Sequence, residues 1–366
     1  MSRALQLARR GIYTTPPNPS VGCLLVRDGG IVGEGWHHHA GGPHAEIEAL
    51  RQAGEKAKGA ECYVTLEPCA HAGRTPPCAA ALVSAGIRRT VIAAEDPNPL
   101  VGGQGIQELE AAGIRTETGL LKAQAQAINP GFEMRMRKGR PYVRCKLAMS
   151  IDGRTALAGG ESQWISSEAA RRDGQRLRAR SSAIMTGVNT VLADDPALTV
   201  RDVDTAGRQP LRAILDRQLR TPATARVLAE AGETLIFAAG GEENRTGGGD
   251  DRRNELEAAG AQVVLLQESE DRDFLNAVLR YLAEEREVNE VLLESGATLA
   301  GKMLEAGVLD EIIIYMAPVL LGRNARSLFN LEGITTMSDR VALNYTDLRM
   351  VGPDVRITLK PVMSDE

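Results

Sequence analysis

The sequence predicts an α/β protein of two domains, and three observations carry that reading. Its 366 residues are more than one ordinary hydrophobic core takes up. Short runs of strand-forming residues alternate with helical periodicity along the whole length, the pattern of helices packed on a sheet. All five histidines (His37, His38, His39, His44 and His71) fall in the first fifth, so the two parts differ in their chemistry.

Composition bounds the function classes. Hydrophobic residues at 43% and charged residues at 25% are ordinary for a globular chain, but aromatics are only 3%, so the cores must rest on Leu, Val, Ile and Ala. A net charge of −5 and a pI near 5.7 argue against nucleic acid as a main partner. A small phosphate in a local basic pocket stays compatible with them. No stretch has the length and apolarity of a membrane span. The Arg-rich first residues lack the apolar core of a secretory signal. The five cysteines, Cys23, Cys62, Cys69, Cys78 and Cys145, are odd in number and widely spread, unlike a disulfide framework. The cytoplasm is the expected location.

In the first part, strands are predicted at 21–27 and 31–35 around a hairpin turn at Asp28-Gly29-Gly30. A helix over 44–53 follows Gly41-Gly42-Pro43, then a strand at 62–66, a helix at 77–85 and a strand at 90–94. A helix near 103–112 and a strand at 114–117 complete the pattern. Residues 121–138 read as one helix whose basic end suits the macrodipole. The boundary is expected near 139–141, giving domains of 1–140 and 141–366. The second part has strand patterns at 142–148, 183–186, 211–215, 234–238, 262–266, 290–293 and 311–317. An antiparallel hairpin, 343–349 with 355–359, turns at Gly352-Pro353. Residues 240–253, rich in glycine and charge, read as a loop.

The chemistry concentrates in one constellation. His44-Ala45-Glu46 opens a helix, Pro68-Cys69 follows a strand, and Cys78 opens the next helix. His-x-Glu with Pro-Cys and a second Cys is the pattern of zinc deaminases. Two thiolates and one imidazole balance Zn²⁺ and leave a coordination position for water, which the metal acidifies toward a pKa of about 7. Glu46 is placed to take that water's proton and deliver it to the ring nitrogen and the departing amine. A closed structural zinc site would need a fourth ligand, and Cys62 and His71 are within reach by spacing alone.

Eight residues separate Cys69 from Cys78, where the short form has two. His71, Arg74 and Thr75 in this loop are donors suited to a phosphate or sugar, or else a solvated loop tip. In the run His37-His38-His39, consecutive side chains point different ways, and His37 is the best candidate for a substrate contact. Asn18, between prolines, could read the edge of a ring with its amide. In the second part, Lys146 and Ser150 face the same way on a strand, and Lys146 is proposed to orient substrate or handle a proton. Glu294-Ser295-Gly296 puts a small-residue turn before a helix N-terminus, where backbone N–H groups can meet a phosphate. No Gly-x-Gly-x-x-Gly follows a strand, so a Rossmann domain is not indicated.

Together these residues resemble the bifunctional deaminase–reductase family of riboflavin biosynthesis over nearly the full length. The most specific segment is Glu67-Pro68-Cys69-Ala70-His71-Ala72-Gly73-Arg74-Thr75-Pro76-Pro77-Cys78. Segments 146–154, 162–165 and 187–201 and Glu294-Ser295-Gly296 carry the resemblance in the second part. It implies a cytidine-deaminase-like three-layer domain followed by a dihydrofolate-reductase-like domain. His44, Cys69 and Cys78 would hold zinc, Glu46 would shuttle protons, and Asn18, His37, His71 and Arg74 would meet the substrate.

The resemblance also implies NADPH, lined by Ala148, Trp164, Thr190, Asp194, Gly296, Ala297, Thr298, Leu299, Ala300, Gly301 and Lys302. Ser162, Arg178, Leu198, Arg201 and Glu294 would meet the substrate of the second reaction, the two arginines suiting a ribose phosphate. One departure stands out: after the strand ending in Asp216 the family commonly has a small hydroxyl residue near the cofactor, and this chain has Arg217, so the resemblance does not carry that contact over. The implied substrate is a small phosphoribosylaminopyrimidine, with no nucleic acid and no membrane, and the implied assembly is a homo-oligomer. The rival reading is a monofunctional nucleoside or nucleobase deaminase with a structural C-terminal domain.

Overall fold

The computed structural model describes residues 1–70, 77–241, 244 and 248–362. They divide into two compact units, Met1–Arg140 and Pro141–Glu366.

The first unit runs α1 (Ser2–Ala8), β1 (Gly22–Arg27), β2 (Gly30–Trp36), α2 (Ala45–Ala53), β3 (Glu61–Val64), α3 (Cys78–Ser84), β4 (Arg89–Ile92), α4 (Gln104–Ala111), β5 (Arg115–Thr118), α5 (Lys122–Gln126) and α6 (Pro130–Lys138). Its sheet has the order β2-β1-β3-β4-β5. The pairs β1–β2 and β1–β3 are antiparallel, while β3–β4 and β4–β5 are parallel. Ala45, Ala49 and Ala53 of α2, Ala79 and Leu82 of α3 and Leu109 of α4 share one apolar cluster with Cys23, Leu25, Cys62, Val64 and Ile92. Leu5 and Ala8 of α1 form a second cluster with Leu66, Ala93, Ala94, Ala125 and Ile128.

The approach of α2 to the sheet depends on two glycines of β2. A Cβ at Gly33 would strike the carbonyl oxygen of Ala49, and one at Gly35 that of Ala45. With nothing larger than hydrogen there, helix backbone rests on strand backbone, and the N-terminus of α2 is set against the sheet.

The second unit runs β6 (Tyr142–Ser150), β7 (Arg154–Ala156), α7 (Glu168–Arg180), β8 (Ala183–Gly187), α8 (Val188–Asp194), β9 (Leu211–Leu215), α9 (Arg226–Ala229), β10 (Thr234–Ala239), α10 (Gly248–Ala258), β11 (Ala261–Leu266), α11 (Asp271–Glu284), β12 (Glu290–Leu293), α12 (Ala297–Glu305), β13 (Glu311–Ala317), β14 (Arg326–Ser327), β15 (Leu343–Val351) and β16 (Asp354–Pro361). Nine strands form one sheet in the order β11-β10-β9-β8-β12-β6-β13-β16-β15. The strands from β11 to β13 are parallel, and β16 and β15 are antiparallel additions. Residues of α11 and α12 share a large apolar cluster with β6, β8 and β12. Ala170 and Leu177 of α7 form another with Leu292, Ile313 and Tyr315.

Two sequence expectations are corrected. Residues 121–138 form two helices, because Pro130 sits at the first turn of α6 after Asn129, where its missing N–H costs nothing and it restarts the chain. The expected loop at 240–253 contains the start of α10, whose first turn holds Asp250 and Asp251. Its ion pairs Arg252–Glu255 and Arg253–Glu257, at helical spacing, and the burial of Leu256 stabilise it.

Candidate functional site

His44 is the residue immediately before α2, in extended conformation, and Glu46 lies in the helix's first turn. Cys69 follows β3, and Cys78 opens α3 after Pro77. The ligand atoms of His44, Cys69 and Cys78 lie within 4.8 Å of one another. His44 Nδ1 is 3.6 Å from the Cys69 sulfur and 3.3 Å from that of Cys78. Ligand bonds of about 2.0–2.3 Å to a tetrahedral zinc imply separations of roughly 3.5 Å between donors, so this group fits the metal. The hydrogen bond with Cys78, together with His44, draws the Cys69 thiol down to about 4, against burial, and the Cys78 amide also donates to its sulfur. Among the described residues the group has three members. Cys62, the possible fourth ligand, turns instead to Cys23, at 3.5 Å between sulfurs.

Glu46 is 3% exposed, and burial pushes its carboxyl up to about 7. His37 is also buried, which lowers its imidazole's pKa. Its Nδ1 donates to the Pro43 carbonyl at 3.0 Å, leaving Nε2 to accept from the Asn18 side-chain amide at 3.1 Å. Both ring nitrogens are thus occupied within the protein. In place of a free contact at His37, the geometry gives a partner that fixes Asn18. His38 stacks on Trp36 at 4.1 Å, so the three consecutive histidines have separate environments. His71 and Arg74 lie outside the described residues.

Glu67 was quoted only as part of a motif, yet it holds the segment that carries Cys69. Its buried carboxylate accepts backbone amides from Asp96, Gly103, Gly105 and Ile106 at 3.0, 3.0, 2.9 and 3.3 Å. A buried amide left without an acceptor costs about 1–3 kcal/mol, so one side chain stabilises a whole loop. Gly105 lets α4 come close, since a Cβ there would strike the Pro68 carbonyl. No local signal announces this clamp, because the amides are some 30 to 40 residues away.

In the second unit a cavity of about 1750 Å³ opens beside the parallel strands. Lys146, Ala148, Ser162, Trp164, Arg178, Thr190, Asp194, Leu198, Arg201 and Glu294 all line it. Gly296, Ala297, Thr298, Leu299 and Lys302 line it at the start of α12. Ala300 and Gly301 do not. Ala300 is buried in the core, and Gly301 packs against the Asn330 backbone, because these positions face inward on the helix. Ser150 is also diverted: its buried hydroxyl bonds Asp152 and the Arg154 amide.

At the centre, Glu294 accepts two hydrogen bonds from Arg178, at 2.7 and 2.9 Å, and one from Lys146 at 3.2 Å. Burial works to raise its pKa, but Arg178 and Lys146 outweigh that and hold the carboxyl well below the usual range. The fork of Arg178 is therefore committed to Glu294, and another Arg178 nitrogen donates to the Thr199 carbonyl. Exposed Arg201 is the freer of the two arginines expected to meet a phosphate. Trp164 is 69% exposed, with the Arg171 guanidinium 4.5 Å from its ring centre. Tyr315, which also lines the cavity, donates to Asp173 at 2.6 Å, and sequence reasoning gave no sign of this pair.

Residues 1–94 match the family model for the cytidine and deoxycytidylate deaminase zinc-binding region. Residues 141–357, more than half of the chain, match the RibD C-terminal domain. The chain belongs to the RibD family. It is thus a riboflavin-biosynthesis enzyme that joins a zinc-binding deaminase to an NADPH-dependent reductase. It is similar to the riboflavin biosynthesis protein RibD of Escherichia coli (strain K12), at 48% identity over 98% of both chains. Acinetobacter baumannii RibD, form 1, is 45% identical, with a TM-score of 0.90 over 99% of this chain and 98% of that one. A Thermotoga maritima structure titled diaminohydroxyphosphoribosylaminopyrimidine deaminase/5-amino-6-(5-phosphoribosylamino)uracil reductase is 31% identical, with a TM-score of 0.86 over 99% of this chain and 97% of that one. No described helix is long and apolar enough to cross a membrane.

Proposed function

We propose that the chain carries out the two reactions named for the Thermotoga relative, each in its own unit. The deaminase removes the ring amino group of a phosphoribosylaminopyrimidine as ammonia, with water as the other reactant. The reductase converts the ribosyl side chain to ribityl. The observation that carries the first assignment is the His44–Cys69–Cys78 group with Glu46 buried beside it.

His44, Cys69 and Cys78 hold zinc, which supplies an acidified water when bound. Glu46 takes and returns protons at the ring nitrogen and the leaving amine. Asn18, steadied by His37, accepts from or donates to the ring edge. His71 and Arg74 extend the substrate contacts.

In the reductase, NADPH supplies the hydride when bound. Ala148, Trp164, Thr190, Asp194 and the start of α12 with Lys302 bind it. Backbone N–H groups at Gly296, Ala297 and Thr298 suit its pyrophosphate. Ser162, Leu198, Arg201 and Glu294 orient the substrate, with Arg178 holding Glu294 in place. Opening the sugar ring also needs a proton at oxygen. Glu294 is kept as a carboxylate, so the Lys146 ammonium beside it is the group with a proton to give.

The test gives one purified preparation the phosphoribosylaminopyrimidine and follows ammonia release and NADPH oxidation. Both signals in sequence are expected. Ammonia without NADPH oxidation would leave a deaminase alone, and neither signal with zinc bound would overturn the substrate. A homo-oligomer belongs to the same proposal. It is supported by the edge strand β15, where Tyr345, Leu348 and Met350 are 74%, 64% and 62% exposed. The expected native mass is a multiple of the 39.2 kDa chain, and a monomer at micromolar concentration would count against it.

A further inference from the structure

The cavity wall beyond the end of β9 carries Arg217 and Asp271, two charges to which the proposed chemistry gives no role. Arg217 follows β9 at its carboxyl end, and its guanidinium lies 4.7 Å from the centre of the Phe274 ring. It donates to Asp271 at 3.0 Å and to the carbonyls of Glu268 and Ser269. Lys302, on α12, donates to the other Asp271 oxygen at 2.6 Å. Arg217, Phe274, Asp271 and Lys302 all line the cavity. Two cations therefore share one carboxylate, and the group keeps a net positive charge facing the space a cofactor must occupy.

We propose that Arg217 selects NADPH over NADH, its guanidinium binding the phosphate that only NADPH carries on its adenosine ribose. The inference rests on the cavity being the NADPH site and assigns one end of it. Lys146 on β6 and Glu294 after β12 mark the reacting end. In the sheet order β9-β8-β12-β6, β9 lies two strands from β12, about 10 Å away. A dinucleotide with its nicotinamide beside Lys146 and its pyrophosphate at the N-terminus of α12 extends its second ribose toward β9. Such placement at the carboxyl ends of parallel strands is where open sheets take their ligands.

The donor count permits it. A guanidinium has five N–H donors, and among the described residues three hydrogen bonds engage Arg217, so two remain for a phosphate. Phe274, Asp271 and the two carbonyls hold the plane of the group while its two remaining N–H groups meet the incoming anion. Lys302 stays on Asp271, so no carboxylate is left bare beside the phosphate. The pairing of arginine with phosphate is strong because it is charge-assisted and forked.

The test is equilibrium titration of NADPH and NADH, by fluorescence or calorimetry, into the wild-type chain, Arg217→Ser and Arg217→Lys. Arg217→Ser is expected to weaken NADPH binding by about 10- to 100-fold, the range for a hydrogen bond to a charged group. NADH binding should be unchanged, and Arg217→Lys should fall between. NADPH binding by the wild type should also decline more steeply with salt than that of Arg217→Ser. Equal loss for both nucleotides would reduce Arg217 to a packing role, and no loss for either would remove it from the site. Both results overturn the proposal. A wild-type chain that binds neither nucleotide would instead refute the cavity as the cofactor site.

Discussion

Replacing Glu46 with Gln is expected to cut ammonia release by about 10²- to 10⁴-fold, the usual contribution of a positioned acid–base group. Zinc should stay bound, because the ligand atoms belong to His44, Cys69 and Cys78. Glutamine keeps the size and hydrogen-bonding reach of the side chain but cannot accept and return a proton. Glu46 is buried in the first turn of α2, two residues from His44, so bulk water cannot easily take over its role. NADPH oxidation should then fail when the chain starts from the amino substrate and recover when the deaminated intermediate is supplied. Metal analysis, ammonia assay and NADPH absorbance on one preparation check all three points. Undiminished ammonia release by Glu46→Gln would remove Glu46 from the reaction.

The second large effect is expected at Lys146. Changing it to Met should lower NADPH oxidation by about 10²-fold or more while ammonia release continues at the wild-type rate. Methionine fills a similar volume, and Glu294 keeps its two hydrogen bonds from Arg178. The side chain is 26% exposed and lines the cavity, so its loss should not open the core. NADPH affinity measured by titration should change little, which separates proton delivery from cofactor binding. Full reductase activity in Lys146→Met would send the proton-donor role elsewhere on the cavity wall.

Much of the first site was legible because its signals are local. Pro43 before His44 and Pro77 before Cys78 mark helix starts, and proline at or before the first turn is a signal read within a few residues. The tight turn at residues 28–30 and the apolar run of β1 before it were readable for the same reason. The break at Asn129-Pro130 was equally local, and the helical look of residues 121–138 with their basic end concealed it. Helix α10 was concealed in a similar way by glycines at its start, although Arg252–Glu255 and Arg253–Glu257 stabilise it.

The remaining features depend on sheet order, which local patterns do not encode. Whether Cys62 was a metal ligand could not be read from its spacing. Antiparallel pairing of β1 with β3 placed it against Cys23. The carboxylate clamp of Glu67, and the occupation of both nitrogens of His37, likewise required segments that meet only on folding. Lys146 and Glu294 lie 148 residues apart, and Arg178 is 116 from Glu294. They meet because β6 and β12 are neighbours in a parallel sheet and α7 packs beside them. The sequence by itself determined which residue types were available and which helix starts would carry them. Tertiary structure alone decided that Arg178 serves Glu294 and that Arg217 shares Asp271 with Lys302. An ion pair is chosen by which charges burial forces together, and that follows from the packing of distant strands.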